Sequence, residues 1–251
     1  MPVREQPEQQ APPVQRVRVR YAKRGRLRFT SHRDFSRAFE RALVRARIPV
    51  AYSSGFNPHP RISYAGAAPT GAASEAEYLE LGLAEVVEPQ EVRAALDEAL
   101  PGGLDVLEVV ESRGGSLADL LEASSWRITV PGLAPEEAAD AVRKFLAAPE
   151  VPVERMTKKG LRTFDCRAAV VSLTARSGPS DAEGCAILEV VLRHGTPSVR
   201  PDDVLAGLRD ITGLQAGAAP LHERLAQGPL DVEAGTVGDP LAHDRDAAES
   251  S

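Results

Sequence analysis

From position 16 the chain alternates charged and apolar residues, Arg16-Val17-Arg18-Val19-Arg20-Tyr21. This is the two-residue period of a strand with one buried face. Val17, Val19 and Tyr21 take the inner face and the three arginines the outer. A turn at Lys23-Arg24-Gly25-Arg26 and a short Leu27-Arg28-Phe29 follow. The period then changes. Phe35, Ala38, Phe39, Ala42, Leu43 and Ala46 recur at three- and four-residue steps, one apolar face of a helix. Ser31 can cap that helix and Asp34, three residues on, suits its positive end; Pro49 stops it. Arg61 to Tyr64 reads as a short strand, Gly66 to Ala73 as a small-residue turn, and Glu75 to Leu83 as a second alternating strand, with Tyr78 opposite in phase to Leu79, Leu81 and Leu83. Pro89 opens a helix that turns Val92, Ala95, Leu96 and Ala99 inward. Gly102-Gly103 ends it, and Leu104 to Val110 is a strand.

Strand, helix, strand, strand, helix, strand is the split-βαβ, ferredoxin-like order, and it occupies residues 15–112. A connecting helix is expected in 113–124. A second unit, 125–227, repeats the order: a strand from Ser125, a helix over Pro135–Leu146, strands over Val151–Met156, Cys166–Leu173 and Ala186–Leu192, a helix from Pro201 to about Ile211, and a last strand over Leu221–Ala226, with one extra strand or turn. The predicted fold class is α+β: two tandem ferredoxin-like units with antiparallel sheets. Residues 1–14, rich in Pro, Gln and Glu, are expected to be disordered. So is an acidic tail over 228–251, with six acids against one arginine.

Composition adds limits. Aromatics make up 4% of the 251 residues, so the core must be built mainly of Val, Leu, Ile and Ala. Cys166 and Cys185 stand alone, without CxxC spacing. This disfavours a thiolate-held zinc or iron–sulfur site within the chain, and a disulfide framework too. No apolar run approaches the roughly 18 residues of a membrane span, and the N-terminus lacks the apolar core of a signal peptide. A cytoplasmic protein without a membrane partner is expected. There is no P-loop, no GxGxxG and no GxSxG, which disfavours nucleotide hydrolysis, dinucleotide redox chemistry and α/β-hydrolase chemistry.

The net charge of −6 hides an asymmetry. Arg16 to Arg61 holds thirteen Lys and Arg against two acids, a balance of +11; Glu75 to Glu122 holds thirteen Asp and Glu against two Arg, a balance of −11. Two readings stand. Either the first segment offers a face to a polyanion, or the two segments pair within one domain and cancel. Arg33, Arg37, Arg41 and Arg45 form a stripe at four-residue steps on the first helix, either a binding surface or a solvated face.

Between that helix and the next strand lies Tyr52-Ser53-Ser54-Gly55-Phe56-Asn57-Pro58-His59-Pro60-Arg61. Two prolines stiffen it and push Asn57 and His59 toward extended geometry. The loop should display Ser53, Ser54, Asn57, His59 and Arg61. Stiff polar loops of this kind carry binding groups, or merely cap the neighbouring backbone. His32, in the first turn of the helix, and His59 are the candidate acid and base; each could equally be a hydrogen-bonded structural histidine. A metal held by His32, His59 and Asp34 or Glu75 would lack HxxxH or HExxH spacing, and no metal is assigned. Lys158, Lys159, Arg162, Asp165 and Arg167 form a second charged cluster, a phosphate-reading set or a hairpin tip.

Leu27-Arg28-Phe29-Thr30-Ser31-His32-Arg33-Asp34, Phe39-Glu40-Arg41-Ala42-Leu43, and Val50 through Ser63, followed by Gly71 and Glu75-Ala76-Glu77-Tyr78-Leu79-Glu80, resemble the radical SAM-linked protein family. That family is a domain of unknown function, fused to or encoded beside a radical SAM protein. The match covers about residues 15 to 112 and continues more weakly through Lys158–Leu173 and Val199–Leu208. The resemblance implies association with a radical SAM enzyme that carries the iron–sulfur cluster and S-adenosylmethionine, with no cofactor in this chain. It marks Ser31, His32, Asp34, Arg41, Ser53, Gly55, Phe56, Asn57, Pro58, His59, Pro60 and Glu77 as signature positions, and supplies no catalytic role.

Three readings follow. The leading one is a non-catalytic accessory module that binds the substrate of a radical SAM partner, with RNA of tRNA type favoured. Its stacking residues would be Phe29, Tyr52 and Phe56. Its contacts would come from Ser31, Arg33, Arg37, Arg41, Ser53, Phe56, Asn57, His59, Arg61, Glu77, Arg162 and Arg167. The second is a metal-independent RNA-processing nuclease using His32 and His59. The third is a protein-docking partner whose Pro-rich loop is the contact.

Overall fold

The computed structural model describes residues 9–157, 160–178, 184–214 and 218–249. The chain is a mixed α+β protein with mostly antiparallel strands and five α-helices among the described residues. It divides into two compact units, residues 1–119 with 240–251, and residues 120–239. Among the described residues, no helix is long and apolar enough to cross a membrane.

In the first unit, β1 (Gln15–Lys23), α1 (His32–Arg45), β2 (Ile62–Ala65), β3 (Ala73–Leu83), α2 (Pro89–Ala99) and β4 (Val106–Glu111) follow one another. The strands lie in the order β4-β1-β3-β2, every neighbour antiparallel. The alternation seen in the sequence sets the register. Val17 faces Leu81 and Val19 faces Leu79, so both inner sets fall on one side. On that side α1 and α2 complete the core with Phe35, Phe39, Leu43, Val92 and Leu96. Ser31 caps α1: its Oγ accepts the Asp34 N–H and donates to Asp34 Oδ2 at 2.7 Å. Leu27-Arg28-Phe29 belongs to a single 3-10 turn over Gly25–Phe29.

The other side of this sheet is not open either. Leu241 and α5 (Ala242–Glu249) lie against β4, with Leu241 fully buried. Asp244 of α5 meets Arg18 of β1 at 2.8 Å, and both side chains are about 2% exposed or less. Arg18 also donates to Glu80 and to the carbonyls of Gly114 and Gly115, while Asp244 accepts the Arg113 N–H. The buried charge pair therefore has its lone pairs and protons satisfied, as burial requires. The reading of 228–251 as a disordered acidic tail is corrected: that stretch contains strands and a helix, because two buried residues hold α5 that composition alone does not flag.

The second unit begins without the expected connecting helix; one 3-10 turn, Ala118–Leu120, leads into β5 (Ala123–Pro131). Then come α3 (Pro135–Ala147), β6 (Pro152–Thr157), β7 (Gly160–Asp165), β8 (Val170–Ser177), β9 (Cys185–Arg193), α4 (Pro201–Thr212), β10 (Leu221–Gly228), β11 (Leu230–Asp231) and β12 (Thr236–Val237). The main strands lie in the order β10-β5-β9-β8, all antiparallel. The extra strand anticipated in the sequence is β7, which pairs with β6 in a separate hairpin. The expected strand at Cys166 starts only at Val170, after a 3-10 turn over Arg167–Ala169. Gly207 lets α4 approach closely: a Cβ there would lie 2.7 Å from Val151 Cγ1.

Candidate functional site

The outer surface of α1 is the first candidate. Arg33, Arg37, Arg41 and Arg45 are exposed along it, opposite the buried Phe35, Phe39, Ala42 and Leu43. Arg37, Glu40, Arg41, Val44 and Arg45 line a shallow, open bay there, with Val44 72% exposed. Among the described residues none of the four arginines forms an ion pair. The strand arginines differ. Arg16 and Arg18 meet Glu80, and Arg24 meets Glu75 and Asp105. The acidic segment thus answers Arg16, Arg18 and Arg24, whereas Arg20 donates to the Glu75 carbonyl and the helix stripe has no acidic partner among the described residues.

The Pro-rich loop is the second candidate. Its base is a small closed ladder. Ser53 N–H donates to the His59 carbonyl at 2.9 Å, and His59 N–H donates to Ser53 Oγ at 3.0 Å. A bridge joins Tyr52 to Pro60. The loop is pinned to the end of β3 through Ala51 N–H to Gly82 O and Gly82 N–H to Arg61 O. Gly82 is required by packing, because a Cβ there would meet Pro13 Cγ at 2.7 Å. The N-terminal stretch crosses this point, with Gln10 N–H on Ser54 Oγ and Val14 N–H on Leu83 O. The expectation of disorder over 1–14 thus fails at Gln10–Val14; residues 1–8 lie outside the described set. At the loop tip Phe56 is 64% exposed, beside exposed Asn57 and Pro58.

The structure does not bring the two candidate histidines together. His32 lies edge-on to Tyr64, ring centroids 4.8 Å apart, on the core side of the sheet. His59 lines a polar cleft with Arg16, Ser53, Arg61, Ser63 and Glu80. Ser63 pairs with Glu80 on β2 and β3, out of phase with Ile62 and Tyr64, so the cleft opens on the opposite side of the sheet from α1. Among the described residues, no group of three His, Cys, Asp or Glu side chains is placed to share a metal ion.

The remaining sequence candidates separate. Glu77 is buried and accepts the Ala68 N–H, and Lys23 donates to the Ala68 and Pro69 carbonyls, so Glu77 shapes the turn before β3. Arg162 is exposed on β7 opposite Arg155. Arg167 is half-buried and donates to the Val170 carbonyl. Lys158 and Lys159 lie outside the described residues. Arg16, Ser63 and Glu80 were missed as site residues. Each sits in the outward phase of its strand, but only the pairing register brings the three together.

Of the histidines without a sequence-assigned role, His194 is locked. Trp126 Nε1–H donates to Ser124 Oγ at 2.8 Å, Ser124 lies 3.0 Å from His194 Nε2, and His194 Nδ1 lies 2.7 Å from the Leu121 carbonyl. This chain assigns the neutral Nδ1–H tautomer, with Nε2 accepting from the serine. Burial lowers the His194 pKa from 6.5, with Arg224 adding to the shift. A folded-state value below the unfolded one means that unfolding takes up a proton. Stability is therefore full above pH 6.5 and falls as pH drops through and below it. Urea melts at pH 7.5 and 5.5 are expected to show that loss, and His194→Gln, which can keep both bonds, is expected to reduce it.

A search of curated proteins finds no match to the chain. Residues 16–201 match the family described as "Uncharacterized protein conserved in bacteria (DUF2344)", a span that takes in β1 almost entirely and everything from α1 through β9, and the chain belongs to that family.

Proposed function

We propose that the chain is a non-catalytic accessory module that binds RNA for a radical SAM enzyme, with α1 as the contact surface. The observation that carries this is the four-arginine stripe left without acidic partners among the described residues, while Arg16 and Arg18 of the neighbouring strand are paired with Glu80. Arginine forks suit phosphate, and a row of them one helical turn apart can follow a phosphate backbone. The radical SAM partner rests on the resemblance carried by Leu27–Asp34 and the Val50–Ser63 loop. We further read both units as ferredoxin-like. The first unit has the chain order strand, helix, strand, strand, helix, strand, and the second has it once the separate β6–β7 hairpin is set aside; in each sheet the first strand lies between the fourth and the third.

The double variant Arg37→Glu/Arg41→Glu tests the reading. The native chain is expected to bind single-stranded RNA with a log affinity that falls with log salt at a slope of about −3, from about 0.7 per phosphate contact over four arginines. The double variant is expected to lose detectable binding. Unchanged affinity and slope would sink the RNA reading. An anaerobic pull-down from the native cells, with and without nuclease, tests the partner; a radical SAM protein that survives nuclease is the expected result. The separation of His32 from His59 by the sheet weighs against the nuclease alternative.

A further inference from the structure

On the side of the first unit's sheet away from α1, a cleft of about 340 Å³ gathers polar groups from three separate segments. Arg16 comes from β1, Ser53, His59 and Arg61 from the Pro-rich loop, and Ser63 and Glu80 from the paired strands β2 and β3. Its volume is at the lower end for ligand pockets, which begin at about 300 Å³. Most of its inward groups are donors. Arg16 Nη1 is engaged by Glu80 Oε1 at 2.9 Å, and Arg61 Nε donates to the Tyr52 carbonyl at 3.2 Å. The other guanidinium N–H groups of both arginines, the His59 ring nitrogens and the Ser63 hydroxyl have no partner among the described residues.

Glu80 does not turn this into a cation site. Its Oε2 accepts from Arg18 at 3.3 Å and from Ser112 Oγ at 3.2 Å, and its Oε1 is taken by Arg16. Two guanidinium groups answer its charge, and it holds Nη1 of Arg16 at the cleft wall. Arg61 is fixed in turn by the loop carbonyl. The loop's closed base, with both Ser53–His59 bonds, holds His59 beside them. The loop backbone and one N–H of each arginine are thus anchored before any ligand arrives, which lowers the ordering cost of binding.

We propose that this cleft is a phosphate-ester site that takes one phosphorylated group of mononucleotide size. Donors supplied by three separate segments suit the three terminal oxygens of a phosphate monoester; a planar carboxylate would leave part of the set unused. The phosphate could belong to a free mononucleotide or to the phosphorylated end of an RNA. The cleft and the α1 stripe lie on opposite sides of the sheet, so this site stands or falls separately from RNA contact at α1.

Calorimetric titration of the full chain with adenosine 5′-monophosphate and with adenosine tests the site. The monophosphate is expected to bind at least tenfold more tightly, as loss of charge-assisted bonds implies. Arg61→Ala is expected to weaken it about tenfold or more. Should Arg61→Ala disturb the loop, Ser63→Asp puts a negative charge at an exposed edge-strand position and is expected to do the same, with only a slightly lowered melt from facing Glu80. Arg37→Glu/Arg41→Glu should leave the monophosphate affinity intact. A 5′-phosphorylated RNA trinucleotide that binds more tightly than its 5′-hydroxyl form supports the site with an RNA end as ligand. Equal binding of the two, with the monophosphate retained, supports it with a free mononucleotide. A monophosphate that binds no better than adenosine, or that is indifferent to Ser63→Asp, overturns the proposal. Failure of the α1 reading would show separately, as RNA binding indifferent to Arg37 and Arg41.

Discussion

Replacing Asp244 by Ala is expected to remove about 3–5 kcal/mol of stability from the first unit, the cost of leaving a buried charge without its partner. Arg18 is 2% exposed and Asp244 1%. The guanidinium would keep Glu80 and two carbonyls but lose the carboxylate on its Nη1, and the Arg113 N–H would lose its acceptor. Water cannot readily replace either. The pair itself is a weak source of net stability, because taking both ions out of water offsets their attraction. Arg18→Met/Asp244→Leu should therefore recover much of what Asp244→Ala loses. Hydrogen exchange at β1 and β4 reports on this unit directly. Exchange within a few tenths of a kcal/mol of the native chain in Asp244→Ala would show that α5 does not hold the unit.

Phe39→Ala is expected to cost about 3–5 kcal/mol, the range for deleting a fully buried aromatic ring. Phe39 has no exposure. Its ring lies 5.6 Å from Phe35, which stacks on Tyr21 at 4.5 Å and meets Tyr64 edge-on at 5.9 Å. In a protein with few aromatics these four rings carry a large share of the contact between α1 and the sheet. Phe39→Leu keeps most of the apolar volume and should cost less than half as much. Chemical melts of the two variants decide this; equal costs would mean that the ring's shape, and not its volume, matters at this position. Since Phe39 lies on the face of α1 opposite Arg37 and Arg41, the same residue sets the stability of the helix on which the RNA reading depends.

Much of this fold is legible in the alternation of β1 and β3 and in the three- and four-residue steps of α1 and α2. Those periods reflect one buried face, and a buried face leaves a mark in sequence. What is not legible lacks such a mark. The helix α5 is short and charged, and it is held by Leu241 and by Asp244, whose partner lies 226 residues away. Composition reads the same residues as a solvated tail. Glu77 stands among the signature positions and looks like a ligand-facing carboxylate, yet it is buried under the turn it organises. The loop's stiffness could be read from Pro58 and Pro60. Its companions in the cleft, Arg16 and Glu80, could not, since they are assembled by strand register.

The pairing of Arg18 with Asp244 also sets an order in time. A ribosome making this chain releases Arg18 early. Asp244 follows 226 residues later, which at roughly 5–20 residues per second takes about 10–45 s. Through that interval the first sheet exists without the carboxylate that neutralises its buried cation, while the whole of the second unit is made in between. A nascent chain that stalls before Asp244 carries an incomplete first unit even when its second unit is finished. Such fragments should be open to proteolysis at β1 and β4, and α5 acts as a seal on the first unit that is added only after the second unit has been made.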